Sequence, residues 1–215
     1  MTASSTTSGR RRQEDRTALS DRLLKEAAVA LLNERGLTGT TLAAIGQRAG
    51  YSRGLVTHRF GTKAGLFAYV HDTVAAAWIA RVQSAVGESV GVAALHRAIE
   101  ALHGFIRDEP DDVRAMYLLR YASIDPGAEY RANVAKVHRA QHRDVQAWIE
   151  RGQVGTGAGI DGSIDANIAA ELFCAVIDGL LYRWLVTPTI SIDVLHERLH
   201  DVVQQVLTGA PAFAS

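Results

Sequence analysis

The chain has 215 residues, of which 47% are hydrophobic and 21% charged, with four prolines and one cysteine, enough apolar content for one sizeable core or two smaller ones. This composition excludes a disordered chain, a collagen-like repeat and a disulfide-stapled mini-protein. The 23 basic and 23 acidic residues cancel overall but not locally: residues 10 to 63 carry eleven Lys/Arg against five Asp/Glu, and the remainder of the chain is acidic. A basic module that attracts phosphate, joined to a larger acidic body, is the expectation.

In chain order, residues 1 to about 15 are Ser/Thr-rich and then charged, with little to bury, and read as a mobile basic arm. From Thr17 or Ser20, Leu23, Leu24, Ala27, Ala28, Leu31 and Leu32 recur at helical spacing until Gly36. Thr40 and Thr41 open a short helix with Leu42, Ile45 and Ala49 on one face and Gly50 as its stop. A third follows Ser52 to Phe60, and Gly61 ends it. Lys63 begins a long apolar-periodic helix to about Val86. Further helices are expected at about 90 to 108, 111 to 123, 126 to 151, 164 to 186 and 191 to 208, broken by Gly87, Gly91, Pro110, Pro126, the stretch Gly152 to Gly162, and Pro188. No segment alternates with period two, so the expected fold is all-α with about nine helices.

The segment TTLAAIGQRAGYSRGLVTHRFGTKAGLF, from Thr40, has the layout of a helix-turn-helix, with the long first helix completing its core. Gly50 suits a turn that needs positive φ, and Ser52 can cap the next helix and leave its N–H groups open to a phosphate oxygen. With Val56 and Phe60 inward, Arg53, Gly54, Thr57 and His58 face the outside, where a DNA groove is read.

Thr41, Ile45, Ala49-Gly50, Ser52, Gly54, Phe60, Lys63 and Leu66-Phe67 are in register with the DNA-binding domain of the TetR family of bacterial repressors, which this segment resembles. The resemblance implies a helix-turn-helix domain over 16–70 and a helical ligand-binding and dimerisation domain over 71–215. It also implies a homodimer on a palindromic operator of double-stranded DNA, released by a small-molecule effector. By position, Thr41 and Lys63 would contact phosphate, and Arg53 and His58 would reach base edges. Where the family pattern has a tyrosine this chain has Thr57, whose hydroxyl reaches phosphate and whose methyl fits a thymine methyl.

Phe105, Met116, Tyr117, Tyr121 and Trp148, with Arg120 and His103 as polar handles, are the expected walls of a pocket for a hydrophobic or aromatic effector. In the last two helices Leu172, Val176, Leu180, Trp184, Leu195, Leu199, Val202 and Val206 form apolar stripes suited to a dimer interface.

Several motifs point elsewhere. Gly50-Tyr51-Ser52-Arg53-Gly54 matches the hydrolase G-x-S-x-G elbow, but a polar helix with Gln47 and Arg48 precedes it where a strand is required. Residues 157 to 162 match G-x-G-x-x-G without a strand before them. His138/His142 and His196/His200 have metal-binding spacing but no H-E-x-x-H, so they are expected to be surface or interface histidines, with no metal and no cofactor. No catalytic residue is expected; a helical enzyme or an interaction scaffold is the rival reading. A lone Cys174, no signal-peptide h-region and no long apolar run point to the cytoplasm and away from the membrane.

Overall fold

A computed structural model describes residues 4–154, 160, 162–187, 189 and 191–208. Among these are nine helices and no strand: α1 (Ser4–Gly39), α2 (Leu42–Ala49), α3 (Arg53–Phe60), α4 (Lys63–Val86), α5 (Gly91–Asp108), α6 (Pro110–Ala122), α7 (Arg131–Val154), α8 (Ala166–Val186) and α9 (Ile192–Thr208). No helix among the described residues is long and apolar enough to cross a membrane.

Two boundaries differ from expectation. The stretch expected as a mobile arm is helical from Ser4 onward, because the run Arg10 to Arg16 consists of helix-tolerant polar residues with no proline to stop propagation. The helix α7 begins at Arg131 instead of near 126, since the Asp125 carboxylate accepts from the Gly127 amide at 2.8 Å and the Asp125 carbonyl accepts from Ala128 at 3.0 Å. That local turn uses the backbone groups a helix would need. Elsewhere the glycines stop helices where expected: Gly36 at φ 66° breaks the helical path inside α1, and Gly50 at φ 77° ends α2. The motif Gly157 to Gly162 lies mostly outside the described residues.

The chain divides into two compact units. The first runs to Thr73 and includes Arg114–Arg131. Its core is Leu24, Ala28, Leu31 and Leu32 of α1 against Ile45, Val56, Leu66 and Val70, each at most 2% exposed. Phe67 meets Tyr130 edge-on at 6.1 Å. The second unit holds Val74–Val113 and the chain from Ala132. There α5 buries Ala94, Leu95, Ala98, Ile99 and Leu102, beside Val145, Trp148 and Ile149 of α7 and Ile177 and Leu181 of α8. Gly152 is a contact requirement: a Cβ there would stand 2.3 Å from the Cα of Gly91.

Candidate nucleic-acid interface

The helices α2 and α3 are each fixed by the same local chemistry. Thr41 and Ser52 lie in extended backbone immediately before them, and their hydroxyls accept from the amides of Ala44 at 3.2 Å and Leu55 at 3.1 Å. The turn between them is closed by the Tyr51 amide donating to the Gly46 carbonyl at 2.7 Å. Gly46 is needed there, since a Cβ would come within 2.8 Å of the Tyr51 oxygen and 3.2 Å of Val56. After α3, Thr62 caps α4 through the Gly65 amide at 3.0 Å. Gly65 is held still more tightly, because a Cβ would stand 2.2 Å from the Phe60 carbonyl oxygen.

The four cationic or titratable side chains of α2 and α3 sort into two kinds. Arg48 hydrogen-bonds both oxygens of Glu34 at 2.6 Å, and Arg59 does the same to Asp21 at 2.6 and 2.5 Å. The hydrogen bonds from Arg48 hold the Glu34 carboxyl below its ordinary range, and Asp21 correspondingly raises Arg59. These two arginines tie the motif to α1. Arg53 and His58, by contrast, are exposed and have no ion pair or hydrogen bond among the described residues. Gly54 and Thr57 are exposed beside them, and so is Leu55 at 38%, an apolar side chain that periodicity alone did not single out. The outward surface of α3 therefore has two open donors, a hydroxyl and an apolar contact, over a helix N-terminus whose amide groups favour an anion.

Lys63, expected at phosphate, also has partners inside the protein. Its ammonium donates to the Leu37 carbonyl at 2.5 Å and lies 5.3 Å from the Phe67 ring centre, so it closes the C-terminal end of α1 against the start of α4. Thr40, which is fully buried, likewise donates its hydroxyl to the Gly36 carbonyl at 2.8 Å.

The residues expected to wall one pocket are divided between the two units. Met116, Tyr117 and Arg120 are buried in the first unit, with the Arg120 guanidinium 5.2 Å from the Tyr117 ring centre, and Tyr121 is 38% exposed. In the second unit Phe105 packs on Trp78 at 6.0 Å, and His103 hydrogen-bonds Asp193 at 2.7 Å. Trp148 alone of the seven lines the cavity of about 70 Å³ that Trp78, Phe173, Cys174 and Ile177 enclose, with Gln141, Asp144 and Asp178 as its polar edge. Sequence periodicity placed these side chains on helices but carried no information on which helices meet.

On the last two helices, Leu172 and Val176 are 57% and 42% exposed and continue a stripe from Ile168 at 57%. Val202 is 41% exposed, whereas Leu180, Trp184 and Leu195 are half-buried. Leu199 departs from expectation: it is only 8% exposed and belongs to the core of the second unit. The side chain of Val206 lies outside the described residues.

Residues 24–70 match the sequence profile of the bacterial regulatory proteins of the tetR family. The regulator TtgR of Pseudomonas putida is 28% identical over 86% of this chain and 86% of its own length. BetI of Burkholderia thailandensis is 38% identical, but that match spans 36% of this chain and 40% of BetI. Among solved structures, FadR of Bacillus subtilis in complex with stearoyl-CoA superposes with a TM-score of 0.71 at 15% identity, covering 89% of this chain and 99% of that one.

Proposed function

We propose that this chain is a transcriptional regulator of the TetR family, whose DNA-binding profile its residues 24–70 match, and that it acts as a cytoplasmic, homodimeric repressor that binds a palindromic operator and is released by a small effector. The observation that carries the proposal is the division of charge on the motif: Arg48 and Arg59 are engaged with carboxylates, while Arg53 and His58 stand open on α3. Two copies of α3 spaced by about 34–36 Å would enter successive major grooves. Arg53 and His58 would read base edges, Leu55 and Thr57 would contact thymine methyl or backbone, and Thr41 and Ser52 would approach phosphate.

Pairing would use the stripe Ile168, Leu172 and Val176 with Val202, since apolar side chains at this exposure are costly in water. The effector would enter the cavity between Trp78, Trp148 and Phe173. At about 70 Å³ that space is far below the roughly 300–1,000 Å³ of ordinary ligand sites, so a ligand would select a widened conformation of the second unit. The helix α4 is uninterrupted from Lys63 to Val86, and the boundary between the units falls within it after Thr73, which makes it the element through which widening would reach the reading heads. A coupling of about 1–3 kcal/mol would change operator affinity roughly 5- to 150-fold.

The deciding experiment is a mobility-shift titration of the purified chain on the DNA flanking its own gene, with random duplex as competitor. A specific complex of one dimer per palindrome is expected. Equal affinity for specific and random duplex would refute operator binding and favour an interaction scaffold.

A further inference from the structure

Of the eight histidines in the chain, four meet at one place between α5 and α9. His196 and His200 are one turn apart on α9, and Glu100 lies between His96 and His103 on α5 at helical spacing. The Nε2 atoms of His196 and His200 each stand 3.1 Å from the same carboxylate oxygen, Oε1 of Glu100. The three donor atoms all lie within 4.8 Å of one another, the one group of its kind among the described residues. His103 stacks on His196 at 4.1 Å with an 18° tilt and donates to the Asp193 carboxylate at 2.7 Å, which fixes the ring it covers. His96 meets His200 edge-on at 4.6 Å.

Hydrogen bonding alone does not account for this arrangement. The Nε2 of His200 is closed to solvent and, although it stands 3.1 Å from the carboxylate oxygen, makes no hydrogen bond of regular geometry. Buried ring nitrogens left in this state are destabilising unless something takes up their lone pairs. A cation does so. With metal–ligand bonds of about 2.0–2.1 Å, neighbouring ligands of a tetrahedral ion are roughly 3.3 Å apart, close to the 3.1 Å between the carboxylate oxygen and each ring nitrogen. Two imidazoles and one carboxylate are a borderline donor set, which suits Zn²⁺, Co²⁺, Ni²⁺ or Cu²⁺ and not Mg²⁺ or Ca²⁺.

We propose that Glu100, His196 and His200 form a binding site for a divalent transition-metal cation of the Zn²⁺ class that braces α9 against α5. Glu100 is 64% exposed, so an ion has an entry path and a side open to water, with His96 beside it. An ion held there would fix the position of α9 and with it Val202, part of the exposed apolar face. This site is independent of the reading of the protein as a DNA-binding regulator, and its test reads metal alone.

The test uses the full chain without a histidine tag, stripped with EDTA and titrated with Zn²⁺ by calorimetry and with Co²⁺ by visible absorption. One saturable equivalent per chain and the intense absorption of four-coordinate Co²⁺ are expected. Each of Glu100→Gln, His196→Asn and His200→Asn is expected to weaken binding by at least about 10-fold, in line with the sensitivity of such sites to ligand-shell changes. The double variant His138→Asn/His142→Asn should leave it intact. Absence of a one-to-one isotherm, or full affinity in any of the three single variants, overturns the site. Should a variant fail to fold by circular dichroism, the parent chain decides: Zn²⁺ must shift the ring nitrogen resonances of His196 and His200 and leave those of His138 and His142 in place.

Discussion

Arg59 on α3 and Asp21 on α1, 38 residues apart, are joined by two hydrogen bonds of 2.6 and 2.5 Å, so the one arginine at the C-terminal end of α3 is turned toward the protein. The pair sets the rotation of α3 about its own axis and withdraws one positive charge from the surface. Asp21→Asn should release that charge. The expected outcome is tighter binding to random duplex and a plot of log affinity against log salt steeper by about 0.9, the increment for one added phosphate contact. Fluorescence anisotropy across a salt series measures this, and an unchanged slope would sink the idea.

Arg53 and Lys63 carry the same charge in different surroundings, Arg53 exposed on α3 and Lys63 donating to the Leu37 carbonyl. Arg53→Ala is expected to cost about 1–3 kcal/mol of operator binding and to relax preference at a single base position. Lys63→Met removes the hydrogen bond to the Leu37 carbonyl, so it should lower the melting temperature by an amount corresponding to about 1.5–3 kcal/mol and leave base preference unaltered. Matching effects of the two substitutions on specificity would show the distinction to be wrong.

Gly65→Ala would force a methyl group against the Phe60 carbonyl, 2.2 Å from where the Cβ must go. Either α4 shifts or α3 loses its last turn, at a cost of about 1–3 kcal/mol. Thermal unfolding and operator binding should both suffer. Since a helical glycine normally gains from replacement by alanine, a stabilised variant would contradict the geometry.

The apolar face of α8 separates association from folding. Leu172→Glu, at a side chain 57% exposed, should leave the fold intact within about 0.5 kcal/mol while yielding a monomer in light scattering and weak operator binding. Leu181→Glu, on the same helix but 2% exposed, should unfold the second unit because it buries a charge. A dimer that survives Leu172→Glu and Val176→Glu together places the interface elsewhere.

Ala98 is 5% exposed and lines the cavity that contains Trp78 and Trp148. Ala98→Leu should fill it, preserve DNA binding and abolish the melting-temperature shifts expected of apolar aromatic compounds with the parent chain. Retention of those shifts would move the effector site out of this cavity.

The helices themselves were legible in the amino-acid order because their signals are local. Thr41, Ser52, Gly36 and Gly50 act on backbone groups within four residues of themselves, and the apolar repeat of α1 and α4 is written in spacing alone. The outward set Arg53, Gly54, Thr57 and His58 followed from the inward set by the same periodicity. Gly46 and Gly65 carried only a weak sign, a glycine inside a helix with no local purpose.

What depended on packing was out of reach of that arithmetic. Which arginine is free depends on Glu34 and Asp21 arriving from another helix, and Lys63 became a brace because the end of α1 comes to it. The seven residues expected around one pocket lie on three helices, only Trp148 among them lining the cavity beside Trp78, and Leu199 turned inward where a stripe suggested outward. Spacing along a chain determines which side chains share a face of one helix. Which two faces meet is decided by the whole core at once, through close packing that no short window of residues contains.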